Sequence, residues 1–225
     1  MSDNDGSIVM SSKMHVAELW RYPVKSLAGE QIDVAEIHAD GIDGDRRVLV
    51  YNEQTRNLVT SRTHPKLLGL KATINKKGVA LINGRPWDDS ESAQAIIAAA
   101  GPHARLIEWD GLERFDILPL LVATDGAIQE FGYDRRRLRP NIIIGDVEGL
   151  AEREWAGRRM RIGDVVIEFA QLRGRCVMTT YDPDTQTQDP TVLRHIVKKF
   201  NGTLALDTRV IQGGRISVGE AAELI

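Results

Sequence analysis

Cysteine is nearly absent: the 225 residues contain one, Cys176. No disulfide can form within the chain, and a reducing compartment is the simpler expectation. A zinc site needs three or four protein ligands, and no Cys/His spacing supplies them. The five histidines fall in no recognisable signature, so the sequence names no partner for a nucleophilic thiol, although a spatial pairing stays open. No run approaches the ~20 apolar residues that cross a bilayer. The opening residues lack the basic-then-apolar order of a signal peptide. We therefore expect residues 1–13 to be a disordered leader on a cytoplasmic protein that meets no membrane. Charge of one sign is also lacking. Lys and Arg number 29 against 32 Asp and Glu, for a net charge of −3, so no nucleic-acid partner is expected. Neither a Gly-x-x-x-x-Gly-Lys loop nor a Gly-x-Gly-x-x-Gly fingerprint is present, which disfavours nucleotide-binding folds.

Short β-branched runs and turn signals are plentiful. Residues 16–20, 48–51, 67–74, 79–82 and 105–109 read as strands, separated by Asp-Gly, Lys-Gly and Asn-Gly turns. Asn83-Gly84 predicts a type I′ hairpin. Residues 91–100 predict a helix capped at Ser90 and stopped by Gly101-Pro102. A subdomain boundary is expected near residues 100–117, which divides the chain into 14–100 and 101–225. In the second part, 118–123 and 141–144 read as buried strands, and 124–131 as a short helix with Thr124 or Asp125 near its cap. Residues 159–162 and 165–169 read as a hairpin and 176–181 as a strand. Residues 191–200 read as a helix opened by Asp189-Pro190. Residues 204–211 and 215–218 finish the chain as strands. Many short strands with glycine-rich turns and a few helices suggest a mainly β, α+β fold built on a barrel.

A lone cysteine beside a strand is more often a buried small hydrophobe than a ligand. Its neighbours shift that balance. Arg173 and Arg175 place cations beside the sulfur, which favours a thiolate, and Gly174 allows close backbone approach. A single soft thiolate can serve a metal whose other ligands come from a cofactor. Cations gather in further segments at strand ends: Tyr22-Pro23-Val24-Lys25-Ser26, Gly44-Asp45-Arg46-Arg47, Thr60-Ser61-Arg62 and Arg139-Pro140-Asn141. Each alone reads more readily, by about two to one, as a solvated loop. Together they suit an anionic small molecule.

Taken in order, these segments resemble the MOSC superfamily, the domain shared by molybdenum-cofactor sulfurase C-termini and the amidoxime-reducing components. The first part resembles the MOSC N-terminal β-barrel through the first two segments and Ser61-Arg62-x-x-Pro65. The second resembles the MOSC domain through Leu138-Arg139-Pro140-Asn141 and Arg175-Cys176-x-x-Thr179-Thr180-x-Asp182-Pro183-Asp184-Thr185. The resemblance implies a MOSC-type β-barrel packed against an N-terminal β-barrel subdomain, and a molybdenum cofactor (Mo-molybdopterin) with Cys176 as its metal ligand. Cys176 and Asp125 become the expected catalytic residues. Lys25, Ser26, Arg46, Arg62, Thr124, Asp125, Arg139, Asn141 and Arg175 become the expected cofactor-binding residues. Pyridoxal phosphate is not expected. The implied activity is reduction of N-hydroxylated or N-oxide small molecules; the alternative is a cofactor carrier or sulfur-transfer accessory protein. With one cysteine the sequence cannot build an iron–sulfur domain of the kind some relatives carry. Electrons are therefore expected from a separate ferredoxin- or flavoprotein-like donor. The segment Thr203-Leu204-Ala205 has no aromatic residue, which departs from the family's substrate side.

Overall fold

The computed structural model describes residues 13–225. The expected leader lies, apart from Lys13, outside the described residues. The chain folds around an eight-stranded sheet in the order Ala222–Leu224, Arg159–Ile162, Val165–Gly174, Thr203–Gln212, Leu120–Thr124, Ile142–Gly145, His15–Arg21, Glu30–Ile32. Leu120–Thr124 and Ile142–Gly145 run parallel, and the other neighbours are antiparallel. Both parallel strands are buried along their whole length, which is why they read as unbroken apolar runs. The sheet curls until the edge at Ala222–Leu224 meets the start of His15–Arg21. His15 bridges Ala221, Val16 N–H donates to the Glu220 carbonyl at 2.9 Å, and Ala222 N–H donates to the Met14 carbonyl at 2.8 Å. Inside pack Val16, Leu19, Val122, Ile142, Phe169 and Leu206.

A second core holds Val24, Leu27, Val48, Val50, Leu67 and Ile96, under helix α1 (Ser90–Ala100) and two three-stranded sheets. The sheets do not divide at residue 100. Ala104–Glu108 pairs with Val48–Asn52, and Gly214–Ser217 pairs with Val34–His38. The first strand, His15–Arg21, belongs to the large sheet of the second half. Each half therefore lends strands to the other, and the loops between them converge on a common seam.

Local chemistry explains most elements. Asn83 and Gly84 both have positive φ, as a type I′ turn requires. Helix α2 (Asp125–Phe131) is capped by the Thr124 hydroxyl, which accepts from Ala127 N–H at 3.2 Å. Helix α3 (Pro190–Phe200) opens on Asp189 and stops at Asn201 in the left-handed conformation. Three expectations change. The cap of α1 is Asp89, whose carboxylate accepts from Glu91 N–H, and not Ser90. Residues 67–74 form no continuous strand: Pro65 starts a 3-10 turn, Pro65–Gly69, and only Ala72–Ile74 is extended. Residues 176–181 are also not a strand. Val177–Thr180 is a 3-10 turn, because the hydroxyls of Thr179 and Thr180 donate back to the carbonyls of Cys176 (2.9 Å) and Val177 (2.6 Å). Those local bonds outcompete the β preference of the branched side chains.

Candidate functional site

The seam between the two halves holds a cavity of about 280 Å³. Eight of the residues expected to bind or coordinate line it: Lys25, Ser26, Arg46, Arg62, Arg139, Asn141, Arg175 and Cys176. They come from five separate stretches of chain, each fixed by its own backbone bonds. Lys25 N–H donates to the Val48 carbonyl at 2.9 Å, and Arg46 N–H donates to the Tyr22 carbonyl at 2.8 Å. Asn141 is buried. Its oxygen accepts from Leu121 N–H (3.2 Å) and from Arg46 (3.4 Å), and its amide donates to the Trp20 carbonyl (3.3 Å). Ser26, Arg46 and Arg139 all have φ in the left-handed region, at 75°, 54° and 57°. Such backbone is costly for non-glycine residues, and three of the nine non-glycine positions that adopt it among the described residues line this cavity.

Thr124 and Asp125, the other two expected site residues, do not line this cavity. Thr124 is fully buried, caps α2 and donates to Glu152 at 3.2 Å. The Asp125 carboxylate accepts from the backbone N–H groups of Gly126, Asp146 and Val147 at 2.7, 2.7 and 3.0 Å. Their place at the C-terminal end of a strand commits both side chains to helix capping and loop closure.

Other residues enter that the sequence did not single out. Arg137, Asp116 and Asp207 line the cavity beside Arg173, whose cation the sequence already set near the sulfur, with Phe115 supplying an aromatic that the 203–205 segment lacks. Seven cationic side chains thus face two carboxylates. Asp116 draws in Arg62 at 2.8 Å, Lys25 at 3.4 Å and Arg173 at 3.6 Å. Burial works to raise the Asp116 carboxyl, but Lys25, Arg62 and Arg173 outweigh it and hold the group below its ordinary value. Asp207 is buried and pairs with Arg173 at 2.5 Å. A buried acid inside the apolar strand Thr203–Gln212 is the sequence signal that would have found it. Asp116 had no such signal, since its segment reads as a linker. Two residues before it, Arg114 is a fully buried guanidinium that pairs with Asp40 and lies 4.4 Å from the Phe115 ring.

Cys176 is half-buried and stands where the strand Val165–Gly174 gives way to the 3-10 turn. The rest of its motif holds it there. Arg137 donates to the Thr179 carbonyl at 3.3 Å and pairs with Asp182 at 2.9 Å. Asp182 in turn accepts from the N–H groups of Asp184 and Thr185. Burial acts to lower the Arg62 guanidinium, but Asp116 and the Cys176 sulfur more than offset it. Arg175 is pushed down to about 10, first by burial and then by Arg173. Arg139 is also lowered by burial. Its guanidinium sits 4.3 Å from the Tyr22 ring centre, with that of Arg46 at 5.1 Å. Among the described residues, Arg139 Nη2 and Arg175 Nε are buried donors with no partner. A second cavity of about 590 Å³ shares Arg137, Arg139 and Met178 with the first and is walled by Trp20, Tyr22 and Tyr181.

Tyr22, at the centre of this arrangement, is 3% exposed and donates to the Pro140 carbonyl at 3.1 Å. Burial raises its hydroxyl to about 12. The unfolded chain ionises near 10, so the folded state holds the proton longer. This contribution is complete below about pH 10 and is lost as pH rises toward about 12. The loss should amount to about 3 kcal/mol. Urea unfolding followed from about pH 9 to about pH 12 should show that decline in wild type and a flatter curve in Tyr22→Phe. Parallel curves would refute this role for Tyr22.

Among the described residues, no group of three His, Cys, Asp or Glu side chains could hold a metal, and no helix is long and apolar enough to cross a membrane. Comparison with known proteins agrees with the two-part architecture. Residues 13–109 match the MOSC N-terminal beta barrel domain, and residues 124–223 match the MOSC domain. The mitochondrial amidoxime-reducing component 1 of Mus musculus is 26% identical, over 77% of this chain and 67% of its own. The Homo sapiens protein of the same name is 25% identical, over 76% of this chain and 67% of its own. The crystal structure of the YuaD protein from Bacillus subtilis shares the fold with a TM-score of 0.51 at 13% identity, covering 95% of this chain and 96% of that one. With both domains matched in order along one chain and joined at the seam that carries Cys176, the protein belongs to the MOSC family.

Proposed function

We propose that the seam cavity binds a molybdenum–pterin cofactor, with Cys176 as the protein ligand to the metal, and that the chain reduces N-hydroxylated or N-oxide small molecules. The observation that carries this reading is the pair of unpartnered buried donors, Arg139 Nη2 and Arg175 Nε, on a cavity lined mostly by cations. Buried guanidinium N–H groups without acceptors are costly, and an anionic ligand would satisfy them. A phosphorylated pterin supplies such oxygens, and a soft metal suits the one thiol. The residues present therefore fit the group. The amidoxime-reducing names of the relatives, at about a quarter identity, support the same reading.

When bound, the cofactor supplies two-electron redox chemistry that the protein's own side chains lack. Lys25 offers a point charge and Arg46, Arg62, Arg139 and Arg175 directional forks, so the chain binds and orients an anion from several sides. The Arg137 clamp on Thr179 and Asp182 keeps Cys176 at the cavity wall. The second cavity gives a small substrate room beside Met178 and Arg139. The overall reaction takes R–NHOH, two electrons and two protons to R–NH2 and water.

The test is metal and pterin analysis of protein purified from cells that make the cofactor, followed by amidoxime and N-oxide turnover with a chemical reductant. Molybdenum and pterin in equal amounts are expected. Arg139→Gln should weaken retention by about tenfold or more, the effect of removing one charge-assisted donor. Absence of molybdenum would overturn the whole reading. Bound molybdenum without turnover, together with fast release to an apo-enzyme, would replace the reductase with a carrier.

A further inference from the structure

The 3-10 turn after Cys176 has two sides. Cys176 and Met178 line the seam cavity, whereas Val177 and Thr180 line a separate surface groove against α3. Helix α3 buries one row, Val192, Ile196 and Phe200. Beside it runs a second apolar row, Leu193 and Val197, and beside that a basic row, Arg194 and Lys198, each spaced by four residues so that its members stack on one line. Val197 is 58% exposed. The groove lining contains both cations and no carboxylate. Lys199 is tied to Glu130 at 2.8 Å, but Arg194 and Lys198 have no side-chain partner among the described residues. Asp189, the acid that feels Arg194, is engaged in capping the helix at Thr191.

An apolar strip flanked by unpaired cations is complementary to an acidic protein surface with an apolar centre. We propose that this groove is the docking face for a small acidic one-electron carrier protein. The inference rests on the reductase reading above. Docking there would place the carrier against Val177, one peptide bond from Cys176, and against Thr180, whose turn is hydrogen-bonded to the Cys176 carbonyl. Each encounter oxidises the carrier by one electron. Two encounters, with two protons from solvent, supply what the reduction of N–OH to N–H and water consumes.

The test is the double variant Arg194→Glu/Lys198→Glu, with Val197→Asp as a second, independent change on the same exposed face. A plant-type ferredoxin and a flavodoxin, both acidic carriers, are titrated against the cofactor-loaded protein at low and high salt. Binding is read directly, without turnover. At least one carrier should bind wild type in a salt-sensitive way, and both variants should weaken it by about tenfold or more. Turnover driven by dithionite should be unchanged, since none of the three residues lies at the seam. Wild type that binds neither carrier, or variants that bind as wild type does, would overturn the proposal. Wild type that prefers vesicles of phosphatidylserine to both carriers would assign the face to a membrane and overturn it too. If dithionite drives no turnover in wild type, the reductase reading fails on its own, and the binding titration still decides the docking face.

Discussion

Cys176→Ala is expected to lower amidoxime reduction by about 10³-fold or more, the scale on which groups at the reacting centre act. Stability should change by less than about 1 kcal/mol, because the residue is half-buried and its side chain closes no apolar core. The two readouts separate a ligand from filler. A small buried hydrophobe would move stability and leave the metal alone. A ligand moves the metal's sulfur coordination, seen by X-ray absorption, and leaves the unfolding midpoint in place. Molybdenum should still be detectable in the variant, since the cationic lining that holds an anion is untouched. Sulfur coordination and turnover equal to wild type would remove Cys176 from the site. Cys176→Ser, which keeps the volume and loses the soft donor, should behave like the alanine variant in turnover.

The second large effect is one of folding. In Gly126→Ala, an added Cβ would sit 2.2 Å from the Val147 carbonyl oxygen and 2.6 Å from that of Gly149. Both are backbone atoms of the loop that Asp125 ties down, so neither can move aside without breaking that tie. We expect a loss of about 3 kcal/mol or more, measured by denaturant midpoint. Asp125→Asn makes the complementary case. Weakening a carboxylate that accepts three backbone N–H groups should cost about 1–3 kcal/mol. Cofactor retention by the folded fraction should stay at the wild-type level. A variant of full stability that fails to hold the cofactor would return Asp125 to the site.

The Asp125 case shows what a motif read along the chain conceals. The segment stands where a cofactor contact is expected by resemblance, but strand end, helix cap and loop closure all fall on the same two residues. Their side chains are already engaged in those local bonds. Asp116 is the opposite case. Nothing in its neighbourhood marks it, since its importance comes from three cations brought from residues 25, 62 and 173. The turn after Cys176 lies between these extremes. Its threonines favour a strand by type, yet their hydroxyls reach back three residues and close a 3-10 turn instead.

The amino-acid sequence by itself determined those features whose energetics close within a few residues. Asn83-Gly84 makes its turn, Asp189-Pro190 opens α3, Asn201 ends it, and a continuous apolar run becomes a buried parallel strand. It also determined which stretches carry cations and where the one thiol stands. Tertiary structure alone decided that the sheet closes through His15 and Ala221, that strands cross between the halves, and that the Tyr22 hydroxyl meets a carbonyl 118 residues away. It alone gathered the cations of both halves around Asp116 and left two arginine donors of the cavity lining unanswered. The reason is physical. Caps and turns are bonds between neighbours and leave a local pattern, whereas the charge on a cavity is a sum over distant segments, fixed only when the core brings their loops to one seam.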